Sequence, residues 1–481
     1  MEALPPWPKG KKLVHLDLKG APPRIDYLHK LIGIFAGLGA DGLLVEYEDM
    51  FPYEGELKVL QATQHSPYSR EEVLSIQEVA KSHGLEVIPL VQTFGHLEFV
   101  LKHKSLWGLR EVPHCLGTLN PHREEGVRLV QEMLRQVVEL HPGSTSVHIG
   151  ADEVYLLGEG EESRRWLSTP GRTLQQLFLL HVTRVAKAVR ETWPNLNVIM
   201  WDDMLRGMDH DTLKGSGLVG LVQPMLWDYN PTLDVENTVS LLERYCGAGL
   251  SELWAASAFK GSTNVHTCVT NTQRHVDNHL QWLQVAASLP KGINMLGIAL
   301  TGWQRFDWET IQPDNTLIGP TLGPMTIASN CYSFSVYHWT FVLNCVKLSS
   351  AGNSELFPGR RLAELVVELM EILQSEELRH FEDSTFVRGW FTPYHRQRKI
   401  VNPLIAQQLQ NQAMSFLALV EERVELVRKE ILSLYPASTA QEWEEQHVSP
   451  VVVPLQRILE DTRASLLEMV AQNISESMDG Q

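Results

Sequence analysis

A chain of 481 residues, 43% hydrophobic and 21% charged, has the make-up of an ordinary globular protein and can bury a large core without disulfide or metal staples. Its formal net charge of −17, with no Lys/Arg cluster, argues against nucleic acid or an anionic membrane as a partner. The N-terminal segment lacks a signal-peptide core, no apolar run is long enough to span a bilayer, and the five cysteines are too scattered for a disulfide framework or a CxxC metal site. The expected location is therefore cytoplasmic or nuclear, with no cofactor and no metal; the sequon at Asn473 reads as chance.

In chain order, eight short runs rich in Val, Ile and Leu predict buried strands: Lys12–Leu18, Gly42–Glu46, Glu86–Gln92, Ser144–Gly150, Leu196–Asp202, Leu218–Trp227, Glu252–Phe259 and Met295–Trp303. Helical patterns lie between them. Arg24–Leu38 follows the first run. Ser69–Gly84 follows the second, opening on a capping serine and closing on a glycine stop. Arg123–Leu140, Leu174–Thr192, Asp234–Tyr245, Thr272–Ala287 and Pro324–Cys345 serve later strands, and the fifth connection, near Arg206–Lys214, has the weakest pattern. Strands alternating with helices imply a parallel sheet with right-handed crossovers, and eight strands close a (β/α)8 TIM barrel. An open doubly wound sheet usually has fewer strands, and no GxGxxG follows the first run.

The barrel is expected over residues 1–350. Over 351–481 the strand-like runs stop, and charged amphipathic helices are predicted at 359–376, 402–435 and 438–471. Ala413, Leu417, Val420, Val424, Val427, Ile431 and Leu434 alternate spacings of four and three, an a/d seam. It reads as a helix packed on the barrel or on its neighbour, and alternatively as the contact of a homodimer.

In a barrel enzyme the active site lies at the C-terminal ends of the strands. Asp17 and Lys19 follow the first run, Glu46 and Glu48 the second, and Gln92 and His96 the third. His148, Asp152 and Glu153 follow the fourth, Trp201, Asp202 and Asp203 the fifth, and Trp227, Asp228 and Tyr229 the sixth; Trp254 lies in the seventh and Trp303 ends the eighth. Aromatic faces stack on pyranose C–H groups while carboxylates and His bind hydroxyls, so this rim suits a carbohydrate. Asp152 and Glu153 are the sharpest pair. Glycoside hydrolysis needs a group that protonates the leaving oxygen and a group that stabilises positive charge, and adjacent carboxylates raise the pKa of at least one of the two. His15-Leu-Asp17 is a weak metal signal, because the fifth and sixth runs supply no His ligands and no HExxH occurs.

The HIGADE run at 148–153 resembles the HIGGDE signature of glycoside hydrolase family 20, the β-N-acetylhexosaminidases, with Ala151 in place of the second Gly. Phe94-Gly95-His96 is similar to that family's Pro-Gly-His, and Trp201-Asp202-Asp203 to its fifth-strand Trp-Asp/Glu. The resemblance covers about residues 10–345 and lies closest to a nucleocytoplasmic branch of the family that favours galactosaminides. It implies substrate-assisted hydrolysis of terminal β-linked GalNAc or GlcNAc with retention of configuration. The substrate's own acetamido carbonyl attacks C1 to form an oxazolinium. By this resemblance Glu153 is the acid and then the base, and Asp152 orients the acetamido N–H. His96 and His148 position Glu153 and sugar hydroxyls, Trp201 and Trp303 wall the acetamido pocket, Tyr229 holds the acetamido oxygen, and Trp254 belongs to the pocket. At the first strand the family's sugar-gripping Arg is replaced by Lys19, which lacks the bidentate fork. The competing expectations are a catalytically inactive sugar-binding barrel or scaffold, and another substrate-assisted glycosidase that works with the Asp202-Asp203 pair.

Overall fold

The computed structural model describes residues 10–63, 66–262, 271–303 and 359–479. Among them, eight parallel strands close into a barrel in chain order: β1 (Lys11–Asp17), β2 (Gly42–Glu46), β3 (Glu86–Leu90), β4 (Ser146–His148), β5 (Asn197–Trp201), β6 (Gln223–Trp227), β7 (Glu252–Lys260) and β8 (Asn294–Gly302). Pairing of Lys11–Val14 with Gly297–Leu300 seals the ring. The apolar runs follow from this architecture. Each strand has side chains toward the barrel interior on one face and toward the surrounding helices on the other, and all five residues of β2 are buried.

The connections carry α1 (Ile25–Gly37), α2 (Arg70–Ser82), α3 (Glu98–Leu101), α4 (Glu124–Glu139), α5 (Glu161–Leu167), α6 (Leu174–Thr192), α7 (His210–Lys214), α8 (Val235–Gly247) and α9 (Thr272–Ala287). Ser69 opens α2 with a full capping box: its hydroxyl accepts from the Glu72 N–H at 3.1 Å, and the Glu72 carboxylate accepts from the Ser69 N–H at 2.8 Å. The fifth connection is short, as its weak pattern implied. The sixth strand begins at Gln223 rather than Leu218, because residues 218–222 form a turn in which the Leu221 N–H reaches the Leu218 carbonyl. The expected helix Pro324–Cys345 and the expected boundary at residue 350 lie outside the described residues.

Leu13, Leu44, Ile88, Ile199, Met225, Trp254, Ala256 and Ala299 fill the barrel interior. Trp254 is a core side chain rather than a pocket residue. It pairs with Gly297, far from the C-terminal end of β7, and its indole N–H is satisfied by Gln223 at 3.0 Å. Alternation along a strand gives the face of a side chain, not its height in the barrel, and here the height removes Trp254 from the site.

Residues 359–481 form a second compact unit. Its described helices are Arg360–Leu373, Glu376–Arg379, Thr385–Trp390, Pro393–Arg398, Pro403–Leu434, Ala437–His447 and Ser449–Asp479. Asn402 caps the long helix, with Pro403 at the first position where a missing N–H is harmless. The a/d seam from Ala413 to Ile431 is buried, and its helix packs against Arg360–Leu373 and Ser449–Asp479 of the same unit. Intramolecular neighbours occupy the seam, so it is not an open dimer surface. Among the described residues, no helix is long and apolar enough to cross a membrane.

Candidate active site

The loops after β2, β3 and β4 hold an unusual concentration of left-handed backbone. Glu48, His96, Ala151, Glu153 and Leu156 have φ of 47°, 52°, 69°, 44° and 55°. Each such non-glycine residue costs about 1–3 kcal/mol and persists only where its surroundings fix it, which marks this rim as a site. Two glycines of the sequence motifs have a steric reason to be there. A Cβ on Gly95 would lie 2.2 Å from the Asp152 carbonyl oxygen, and one on Gly150 would lie 2.0 Å from Gln92 Oε1. At Gly95 the obstacle is backbone, so the third and fourth strand ends interlock too closely there for a side chain; at Gly150 it is the packed Gln92 side chain, together with a left-handed φ of 63°.

This interlocking places His96 between the two carboxylates. Its Nε2 lies 3.4 Å from Asp152 Oδ2 and 3.3 Å from Glu153 Oε2. Burial alone would depress the imidazole, but the Asp152 charge and the hydrogen bonds to both carboxylates raise its pKa well above the ordinary value. Burial acts on Asp152 in the opposite sense, and the charge and hydrogen bond of His96 overcome it, so the Asp152 pKa is lowered. Asp152 itself moves down, because a cation is inserted beside it. Among the described residues, His96, Asp152 and Glu153 are the one group whose ligand atoms lie close enough to share a metal ion. With His96 protonated, the three side chains form an ion-paired triad.

Asp152 is buried while the Glu153 side chain is about a third exposed. Asp152 Oδ1, His148 Nε2 and Trp201 Nε1 are buried without a protein hydrogen-bond partner. His148 Nδ1 accepts from the Gly150 N–H at 3.0 Å, so Nε2 carries the hydrogen. Burial holds this ring neutral, with a pKa pushed down to about 3. The ring of His148 lies 4.4 Å from that of Trp201, which lies 5.9 Å from Trp303.

Trp303 is the hub of the opposite wall. Its indole N–H donates to the Tyr229 oxygen at 3.1 Å, its ring meets His15 edge-on at 4.6 Å, and Lys19 Nζ lies 5.8 Å from its centroid. Lys19 is clasped by Asp17 and Glu48, each at 3.0 Å. Burial would lower its pKa, but the charges of Asp17, Glu46 and Glu48 keep it protonated. Burial raises Glu46 to about 7 against the pull of Lys19. The ring nitrogens of His15 are both engaged, Nδ1 by the Gly302 N–H at 3.3 Å and Nε2 on Glu46 at 3.2 Å, which leaves no metal ligand there.

The fifth strand splits its two carboxylates. Asp202 is fully buried, gripped by both arms of Arg206 at 2.9 and 2.6 Å, and bonded by the Tyr245 hydroxyl at 3.0 Å. Asp203 accepts from the Glu153 N–H at 2.9 Å and from the Trp227 indole at 3.2 Å, and burial together with Asp152 raises its pKa to about 7. The pair therefore does not serve one reacting centre, which removes the reading of Asp202-Asp203 as the catalytic dyad.

Lys260, at the end of β7, was not anticipated. It is buried, its Nζ donates to the Trp303 carbonyl at 3.1 Å, and burial lowers its pKa to about 7. A lysine ending an otherwise apolar strand was the available signal. Trp227, stacked on Tyr229 at 5.3 Å, also belongs to the wall. Of the expected residues, Lys19, His96, His148, Asp152, Glu153, Trp201, Tyr229 and Trp303 converge on this rim, and Trp254 does not.

Residues 47–229 match the catalytic domain of glycosyl hydrolase family 20. Hexosaminidase D from Homo sapiens is 44% identical over 459 residues, covering 94% of each chain. Hexosaminidase D from Bos taurus is 53% identical over 296 residues, 62% of this chain and 85% of its own. The crystal structure of a β-N-acetylhexosaminidase from Bacteroides fragilis shares the fold, with a TM-score of 0.52 at 14% identity, covering 72% of this chain and 71% of that one. A relative matched along nearly its whole length decides the matter: this chain belongs to glycosyl hydrolase family 20, the β-N-acetylhexosaminidases.

Proposed function

We propose that the chain is an exo-acting, retaining hydrolase of terminal β-linked N-acetylhexosamine that works by substrate assistance, with galactosaminides the favoured class. One observation carries the assignment of roles. Asp152 is buried, held ionised by His96, and keeps Oδ1 unpartnered within the protein, while its neighbour Glu153 faces the mouth of the site.

In the first step the acetamido carbonyl oxygen forms a bond to C1 as the C1–leaving-oxygen bond breaks, and Glu153 gives its proton to the departing oxygen. Asp152 Oδ1 accepts the acetamido N–H, and its charge offsets the positive oxazolinium. Tyr229, fixed by the Trp303 indole on its oxygen, turns its O–H toward the acetamido oxygen. Water then adds at C1 as the C1–acetamido-oxygen bond breaks and the acetamide is restored; Glu153 takes the water proton, and two inversions leave the configuration retained. Trp201 and Trp303 exclude water from the acetamido group, and His148 Nε2–H serves a substrate oxygen. Lys19 grips the outer hydroxyls as a point charge, without the fixed fork an Arg imposes, which admits an axial 4-hydroxyl. That freedom, with the likeness to hexosaminidase D, supports the galactosaminide reading.

The deciding test is turnover of nitrophenyl β-N-acetylgalactosaminide and β-N-acetylglucosaminide by the wild type and by Glu153→Gln. Loss in the variant, steeper for poor leaving groups by about a hundredfold or more, is expected of a general acid. Sugar binding with no turnover by the wild type would identify an inactive barrel instead.

A further inference from the structure

Asp203 belongs to the Trp201-Asp202-Asp203 run, yet the reaction above gives it no part. Its geometry is specific. One carboxylate oxygen accepts the backbone N–H of Glu153 at 2.9 Å, and the other accepts the Trp227 indole N–H at 3.2 Å. Glu153 has a left-handed backbone, with φ of 44°, that a non-glycine residue does not hold unaided. Trp227 is steadied on its other sides by Arg206, which bonds its carbonyl at 2.7 Å and lies 4.8 Å from its ring, and by the stacked ring of Tyr229. The carboxylate thus joins the ends of β4, β5 and β6. The companion Asp202 turns away into Arg206 and Tyr245.

We infer that Asp203 is a positioning residue for hydrolysis: by bridging the Glu153 backbone and the Trp227 indole, it sets the acid and the sugar-binding wall in one register. The inference rests on the reading of Glu153 as the acid.

The test compares turnover of a nitrophenyl and a methyl β-N-acetylhexosaminide by the full chain, with a thermal melt of each variant. Asp203→Asn keeps the shape but turns one accepting oxygen into a donor facing a donor. It is expected to melt near the wild type and to lose roughly a hundredfold in kcat/KM. The loss in kcat falls harder on the methyl glycoside, and Asp203→Glu restores part of it. Trp227→Phe keeps a ring and removes only the indole N–H; it is expected to raise KM and widen the same leaving-group gap. Turnover by Asp203→Asn within about twofold of wild type overturns the inference. So does a loss equal on both glycosides that follows the melting temperature, the mark of a merely structural role. If Asp203→Asn does not fold, Trp227→Phe decides, and an unchanged leaving-group gap overturns the bridge. Glu153→Gln separates the two levels. Wild-type rates on the methyl glycoside in that variant sink the acid assignment, whereas Glu153-dependent turnover that Asp203→Asn spares sinks the bridge alone.

Discussion

His96 sets the protonation of the pair it touches. Its own pKa is raised in the folded chain, so its ion pairing stabilises the fold fully below the unfolded value of about 6.5 and is lost as pH rises through the folded value. Asp152 is its mirror: a lowered pKa stabilises the fold above the ordinary carboxylate range and is lost as pH falls. Removing the cation lets burial act unopposed. In His96→Asn the Asp152 pKa is therefore expected to rise, moving the acid limb of the kcat/KM profile upward by about one unit or more. A profile whose acid limb stays in place separates Asp152 from His96. At this scale the sequence offered a candidate pair but not its electrostatics. Adjacency in HIGADE suggests mutual repulsion, and only the loop after β3, more than fifty residues earlier in the chain, brings the histidine that reverses it.

At the scale of elements, the strand ends work because two loops touch without side chains between them. Gly95→Ala places a methyl 2.2 Å from the Asp152 carbonyl, so either the His96 loop or the Asp152-Glu153 turn must move. The expected result is a loss in kcat/KM of roughly a hundredfold with a smaller fall in melting temperature, because the displaced turn is at the rim and not in the core. Activity and melting close to wild type would show that the loops are not locked. Most strands were legible because apolar runs buried on both faces have no alternative reading between helical patterns. Leu218–Val222 was not, because an apolar turn and a strand start share the same composition. Asp202 and Asp203 show the same limit. They are neighbours in sequence and chemically alike, yet one is neutralised by Arg206 behind the strand and the other accepts the Glu153 backbone N–H.

The whole molecule carries many neutral buried histidines. Burial pushes His15, His148 and His279 down to about 3, and His141, His181 and His275 to about 4. Each must take up a proton on unfolding once the pH is below about 6.5, so its contribution is full above that value and lost as pH falls, at up to about 1.4 kcal/mol per unit. Glu46 and Asp203, raised to about 7, work in the opposite sense: their contribution is full below the ordinary carboxylate range and is lost as pH rises through about 7, and between the two they release protons on unfolding. The histidines are more numerous, so denaturant unfolding at pH 5 is expected to need less denaturant than at pH 7, with net proton uptake. Equal midpoints at both values would show that the buried rings are protonated in the folded chain. The division into barrel and helical unit was visible in the sequence as a change of hydrophobic period, while the fate of the a/d seam was not, since a heptad pattern is satisfied equally by a neighbour in the same chain or in another.

Seven of the eight strand contacts in the barrel join consecutive strands; the eighth joins Val14 to Leu300, across nearly the whole barrel sequence. Chain entropy makes that last contact about 2 kcal/mol dearer to form than a consecutive one, so the ring is expected to zip up from its local pairs and close late. Lys19 stands just after the first strand of that seam and Trp303 just after the last. On refolding, helical ellipticity should therefore return before turnover does, because Lys19 and Trp303 meet only when the two ends of the barrel find each other.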